Sequence, residues 1–600
     1  MVKEDAERCG ILAADRRTSP ELGRRRAIEM ADSVRTVGVE GPVMHGLKTH
    51  LVGLAIAVAL VWACGGALGP HAGAPAGVPP PLEDGGARTP AGSPAADPLS
   101  LLPAGPRDVP AKPAAFALRL DAWEAAIKAR GVALAPVECA AFAGRVPDRA
   151  GPSDLATAFA EKDAARADAR LLALEPTLDP GEPGAVRGLR ADLAPRECGD
   201  AIVDPYLAAH RGMTSRASHV LVGLSLAAKL SRTGTGKPSM GALRDKEKVK
   251  AFIGGPLRTW MVEQSTAIET LATGAAGLTG YGRGIAALEA GIADLRLVEI
   301  IRTAPVPPGW DPELRAAYQA SLDEALEPRK KRGRDAALVG LGDLAQAGVL
   351  LDVRTLTAHA LLTSLYGGRR ISALTALMVP RPPDPTPATP LQSALMSVAP
   401  FWSDVLELPV TNEADVPVAL LRGTSQAMRA YFATTRSPAL QPDMRAAYAR
   451  ARFRMGQLYW RRVDFVEAAY AARQGGAPED RLLLALCLAL AQGPDGAAEM
   501  MRAPSAFALD LRHTEALDAL VAEGGPMAGW AAFDAAHLRS LSPPDGPAAA
   551  PYFRELAARF RKAESLLTDP ARKTLATRRA EEVDAILSAM EQPRRPDAAP

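Results

Sequence analysis

Ala217-Ser-His-Val-Leu-Val-Gly-Leu-Ser-Leu-Ala-Ala-Lys-Leu230 carries apolar or small residues on almost every side of a helical wheel. A surface helix shows one apolar stripe, whereas a helix that is apolar all round belongs in the middle of a large core. The stretch therefore predicts a central, buried helix, and the chain on either side must supply the helices that cover it. His219, near its start, reads as a core or boundary histidine. His210 is nine positions away, and metal-binding pairs on one helix stand three or four apart. No metal site and no cofactor are expected.

The segments around this helix repeat a helical pattern. Residues 118–130 place Trp123 and Ile127 four apart and stop at Gly131. Residues 153–174 are rich in Ala, Asp and Arg, with a face wide enough to be solvated. Asp311-Pro312-Glu313 is a strong helix start, with a capping Asp and Pro at the first helical position. That helix is expected to run to about Leu326, to break at Pro328, and to resume from Arg334 to Ala347. Two more are expected over 354–366 and 370–378, one around Phe401 and Trp402, and one over 415–435. Asp569-Pro570 starts a last helix with Val583, Ile586, Leu587 and Met590 on one stripe. Hydrophobic residues make up 48% of the 600-residue chain but aromatics only 5%, so the core is mostly Ala, Leu and Val, which suits closely packed helices. Pairs of short helices joined by Pro or Gly predict an all-α fold of helical hairpins, an α-solenoid.

Composition divides the chain. Residues 1–43 read as an over-extended or disordered leader, with Met30 and Met44 as further possible starts. Residues 65–114 contain nine Gly and twelve Pro, and such a segment cannot bury enough apolar surface to offset its ordering entropy. It is expected to be a disordered tether. Helical regions follow over 115–379 and 392–591, separated by a stiff Pro-rich linker at 380–391, and 592–600 form a disordered tail. Net charge is +2, and without residues 1–63 the balance is 61 basic against 60 acidic. That near-neutrality argues against nucleic acid as a partner.

Leu-Val-Gly-Leu-Ala-Ile-Ala-Val-Ala-Leu-Val-Trp-Ala-Cys, residues 51–64, is thirteen apolar or small residues ending in a cysteine. It is shorter than the about 20 residues a bilayer-spanning helix needs, but it matches the apolar core of a signal peptide, here 44–63, with Lys48 ahead of it. Val61-Trp62-Ala63-Cys64 resembles the lipobox of bacterial lipoproteins. That resemblance implies lipidation at Cys64, anchorage in the cell envelope and, with Gly65 where an aspartate would signal inner-membrane retention, the outer membrane facing the periplasm. Of the other cysteines, Cys9 lies in the leader and Cys487 reads as a buried small hydrophobe. Cys139 and Cys198 stand in the similar contexts Leu-Ala-Pro-Val-Glu-Cys and Leu-Ala-Pro-Arg-Glu-Cys, and either pair in an oxidising envelope or stay as independent thiols.

Met455-Gly456-x-x-Tyr459, followed by Ala468 and Pro478, resembles one tetratricopeptide repeat, in which large residues interlock two antiparallel helices while Gly and Ala let them approach. Arg452 stands where that pattern has an aromatic, with Phe453 one place later. Phe533-x-x-Ala536 and Phe560-x-x-Ala563 echo the pattern 27 residues apart. The resemblance implies a surface that binds envelope proteins. Arg329-Lys330-Lys331-Arg332-Gly333-Arg334 is either a solvated loop or a contact for an anionic ligand such as a lipid headgroup or phosphorylated glycan. Ser231–Pro238 superficially matches a phosphate-binding loop but lacks its first glycine and its preceding strand. The Gly-rich run 273–284 reads as close helix packing or a hinge. Glu263-Gln264-Ser265 with Gly277-Leu278 is faintly similar to lytic transglycosylases, which makes a cell-wall enzyme the alternative to a non-catalytic scaffold, alongside a glycan- or lipid-binding module. No catalytic residue is assigned.

Overall fold

The computed structural model describes residues 113–149, 154–239, 246–304, 306, 309–349, 352–366, 371, 373–380, 399–407, 442–493, 496–502 and 514–591. The leader, the signal peptide with Cys64, all of the tether but 113 and 114, all of the linker but Pro380, the helix expected over 415–435 and the tail lie outside them. Among the described residues the fold is all-α, with one exception: Phe116–Ala117 pairs antiparallel with Thr214–Ser215. The N-terminal region holds α1 (Asp121–Ala126), α2 (Cys139–Ala143), α3 (Leu155–Ala160), α4 (Ala164–Leu178), α5 (Ala185–Leu193), α6 (Gly199–Ala209), α7 (Ser218–Ser231), α8 (Lys246–Phe252), α9 (Arg258–Gly274), α10 (Gly280–Arg302), α11 (Pro312–Gln346), α12 (Val353–Tyr366) and the short α13 (Pro400–Val405). The C-terminal region holds α14 (Pro442–Tyr459), α15 (Arg462–Arg473), α16 (Pro478–Leu490), α17 (Ala497–Arg502), α18 (Glu515–Glu523), α19 (Ala528–Ser540), α20 (Ala549–Leu566) and α21 (Pro570–Glu591).

α7 is the buried helix its composition calls for: every residue but His219 is shielded from solvent. His219 is the boundary residue expected, its Nδ1 accepting the Thr279 amide at 3.1 Å while its ring stacks on Phe116. α10 runs parallel to α7, as His219 beside Gly282 and Arg296 Nη1 donating to the Ser231 carbonyl at 2.9 Å fix the register. Glycines bring these backbones into contact. A Cβ on Gly282 would lie 2.2 Å from the His219 carbonyl oxygen, and one on Gly223 would lie 2.3 Å from that of Gly282. α11 crosses α10 in the opposite sense, with Gly340 against Leu288 and Gly291 against Gly333 and Ala337. The glycine crowding at 273–284 is thus partly helix packing, while Gly277, in the turn between α9 and α10, and Gly280, the first residue of α10, take left-handed φ angles.

This contact gives a paired prediction. Gly282→Ala drives a methyl into backbone that cannot rotate away and is expected to cost about 1–3 kcal/mol. Gly342→Ala, in the interior of α11 with open space around it, is expected to be neutral or to stabilise by up to about 1 kcal/mol, because Ala is the better helix former. The thermal melt of Gly282→Ala should fall below wild type while that of Gly342→Ala stays level or rises, and a Gly282→Ala melt at or above wild type would contradict the packing.

Several expected boundaries shift. α11 runs unbroken through Pro328, so the basic cluster is helical and not a loop. A proline inside a helix costs about 3 kcal/mol, but here the flanking turns are fixed from outside. Leu322, Leu326, Ala337, Leu341 and Leu344 are buried, and Arg329 and Arg332 both bind Asp294 of α10. The helix expected over 370–378 is a single 3-10 turn, Ala373–Ala376. The stretch 153–174 breaks at residues 161–163 into α3 and α4, with Asp163 capping α4 through the Arg166 amide at 2.8 Å.

In the C-terminal region the helices pack chiefly on their neighbours in sequence, except α17, which lies against α11 while α16 and α18 meet directly. α14 and α15 are antiparallel, with Gly456 against Phe465 and Tyr448 Oη donating to Glu467 at 2.7 Å. α19 and α20 pair through Phe533 and Phe560, ring centroids 5.6 Å apart, so the two echoed Phe-x-x-Ala motifs are the two sides of one hairpin. α20 and α21 close the series through Arg554–Glu591 and Arg561–Asp584. The two regions meet along the chain around 345–378. Tyr459 Oη donates to the Val349 carbonyl at 2.6 Å, Arg461 to that of Ala345 at 2.7 Å and Gln457 to that of Leu374 at 3.0 Å. His537 Nε2 donates to Ala373 O at 2.8 Å, and Asp534 accepts the Met378 amide at 2.7 Å. Side chains of α14, α19 and Arg461 thereby bind backbone groups at the end of α11 and in the irregular chain that follows it.

Candidate functional site

The five positions of the repeat-like motif come together at one hairpin. Met455 and Tyr459 are buried, Gly456 leaves room for the Phe465 ring, whose Cε1 is 2.5 Å from where a Cβ would stand, and Ala468 is fully enclosed. Pro478 is the first residue of α16. Arg452 is held by Asp464 at 2.9 Å and Glu467 at 2.5 Å and lies over the Tyr448 ring. An ion cluster takes the place that an aromatic would fill, and Phe453 makes the aromatic contact to Phe465 from one position on. Beside the hairpin, Arg445, Ala446, Ala471, Gly475, Ala477 and Asp480 line a shallow depression between the start of α14 and the turn joining α15 to α16.

The basic cluster is largely spoken for. Arg329 is buried with Nη1 2.6 Å from Asp294, and Arg332 Nε is 2.7 Å from the same carboxylate. Lys330 lies over the Tyr366 ring at 4.6 Å and near Glu327, and Arg334 pairs with Asp335 at 2.8 Å. Lys331 is exposed. These groups fasten α11 to its neighbours more than they present charge to an anion. Glu263 stands exposed on α9. Among the described residues no three His, Cys, Asp or Glu side chains are grouped to hold a metal ion, and no helix is long and apolar enough to cross a membrane. Cys139 and Cys198 are joined in a disulfide, Cα atoms 5.0 Å apart, tying α2 to the start of α6, while Cys487 is a buried thiol.

The most constrained polar groups were not visible in sequence. Asp192 of α5 accepts Tyr281 Oη at 2.7 Å and Trp402 Nε1 at 2.9 Å, with Arg354 Nη1 3.7 Å away. Burial raises the Asp192 carboxyl against the pull of Arg354 and these two donors, and it raises the Tyr281 hydroxyl further. Glu289 of α10 is wholly enclosed, with Arg196 at 3.2 Å, Arg296 at 3.5 Å and Arg354 at 3.8 Å. The indole of Trp402 rests on Gly188, where a Cβ would lie 2.4 Å from Cη2. The expected boundary at 391/392 places α13 with the C-terminal region, but the helix lies against α5 and α10.

His359 of α12 sits at the junction with α14. Burial, then the nearby Arg454 guanidinium, pushes its imidazole down to about 4. The folded protein therefore holds it neutral while the unfolded chain protonates near pH 6.5. Stability from this group is intact above pH 6.5 and is lost as pH falls toward 4, by roughly 3 kcal/mol in all. Urea midpoints at pH 7 and pH 4.5 should differ less for His359→Leu than for wild type, and an equal difference would refute the assignment.

No protein family, no curated protein and no solved structure matches the chain.

Proposed function

We propose that this protein is a lipid-anchored scaffold or assembly factor of the cell envelope that binds other envelope proteins through its helical hairpins and catalyses no reaction. The observation that carries this reading is the C-terminal series α14–α16 and α18–α21, in which successive helices pack on one another in sequence order. Such stacks expose long faces suited to peptide or helix partners. The Cys139–Cys198 disulfide supports export, because disulfides persist in oxidising compartments. Engagement of Arg329 and Arg332 by Asp294 weighs against the glycan- or lipid-binding alternative, and the exposed setting of Glu263 weighs against a muramidase.

Cross-linking in native envelopes, followed by affinity isolation and mass spectrometry, tests the proposal, with Cys64→Ser as the unanchored control. A stoichiometric envelope protein recovered with the wild type and lost with Cys64→Ser is the expected result. Recovery of glycan fragments without a protein partner would overturn it.

A further inference from the structure

The helix α13 is six residues long, yet it is seated like a ligand. Trp402 is fully enclosed, the Cη2 edge of its indole set against the Cβ-less Gly188 and its N–H given to the carboxylate of Asp192. Phe401 packs on Tyr281, ring centroids 5.2 Å apart. Arg216 of the N-terminal region reaches over the end of the segment and donates to two backbone carbonyls, Asp404 O at 3.1 Å and Val405 O at 3.2 Å. Arg216 is itself oriented by Glu182, with Nε at 2.5 Å. An aromatic anchor in a desolvated pocket, a buried polar group that reads its N–H, and a cation that clamps main-chain carbonyls are the parts of a peptide-recognition site.

Two features of the segment carry a cost while it is seated. The Ser403 hydroxyl is buried with no hydrogen-bond partner among the described residues, which costs its desolvation. Glu407, where the segment leaves the pocket, has φ +50, a left-handed conformation that non-glycine residues adopt at a cost. Both penalties are relieved when the segment leaves.

We propose that the cleft formed by Gly188, Asp192, Arg216 and Tyr281 is a binding site for a peptide segment bearing an aromatic-Trp pair, and that α13 occupies it in cis. The pocket selects Trp over Phe or Leu because those residues leave the buried Asp192 carboxylate without its indole donor. This deepens the scaffold reading, on which it rests only for the natural partner being a protein. The test below uses purified protein, so failure of peptide binding and failure of envelope anchorage are read separately.

The probe is the fluorescent peptide Ala-Pro-Phe-Trp-Ser-Asp-Val-Leu-Glu, the sequence of residues 399–407, titrated against the full-length chain. Wild type should bind weakly, Trp402→Ala at least ten-fold more tightly, and Trp402→Ala with Gly188→Ala no better than wild type. A peptide with Ala in place of Trp should not bind any of them. A folded Trp402→Ala variant that binds no better than wild type overturns the proposal. Hydrogen exchange on the wild type decides the matter if Trp402→Ala does not fold. Amides of Phe401 to Leu406 should exchange at least a hundred-fold faster than those of α5, and exchange at the rate of α5 would make α13 an ordinary core element.

Discussion

Replacing Cys139 and Cys198 together by serine is expected to lower the unfolding free energy by about 4 kcal/mol, the loop-closure entropy of a cross-link spanning 59 residues. The location favours the full effect. Residues 131–138, just before Cys139, bury little: Leu134 is 92% exposed and Val137 87% exposed. Within this stretch only Val132 packs half-buried on the core, so the hydrophobic effect contributes little to holding the loop. What holds it is polar and covalent. Arg232 donates from Nε to the Ala133 carbonyl at 3.0 Å, Gln264 donates to the Gly131 carbonyl at 2.8 Å, and the disulfide fixes α2 to α6. Arg232 is in turn held by Asp200 at 2.7 Å, two residues beyond Cys198. With the cross-link gone, the loop and α2 should detach first. Urea unfolding followed by circular dichroism measures the loss, and wild type in reductant should match the double variant. A midpoint unchanged by both treatments would mean that the polar contacts alone order this lobe.

The elements legible in sequence are those whose signal is local. α7 declares itself because fourteen residues in a row leave no side for water, and α11 because Asp-Pro-Glu is a start signal that needs no partner. The glycine run 273–284 pointed to close packing, which Gly282 on His219 provides. Pro328 misled because its cost is local while the compensation lies on another helix, at Asp294, 35 residues away from Arg329. The residues around 373 look helical in isolation, but the carbonyls of Ala373 and Leu374 are taken by His537 and Gln457, from helices far along the chain. Asp192 is the extreme case. Its donors Tyr281 and Trp402 are 89 and 210 positions away, and an aspartate near the end of an amphipathic helix carries no sign of either. Cys139 and Cys198 lie between these limits: their matching contexts suggested a relation but left pairing open.

The polar cluster around Glu289 should be the least tolerant point of the N-terminal region. Glu289, Asp192 and Asp352 face Arg196, Arg296 and Arg354, three acidic groups against three basic ones, joined through Arg354 at 3.8, 3.7 and 3.1 Å from the three carboxylates. Arg354 is 5% exposed, so the charge of its guanidinium is not carried by water. Its basicity is raised above that of a free guanidinium, the Asp352 and Asp192 carboxylates outweighing burial. Glu289→Ala removes one acidic group from a closed set and leaves buried cations unbalanced, for which the expected loss is about 3–5 kcal/mol. An isolated buried ion pair would often be improved by apolar replacement of both partners, so the double variant Glu289→Leu with Arg354→Leu separates two readings. If the cluster is a simple pair, the double variant recovers most of the stability lost by Glu289→Ala. If the groups act as a network, Asp192 and Asp352 lose their cation and the double variant stays close to the single one. The geometry favours the second outcome, because Arg354 is the shared partner of all three carboxylates. Urea midpoints of wild type, Glu289→Ala and the double variant at pH 7 decide between them, and a Glu289→Ala midpoint equal to wild type would refute both.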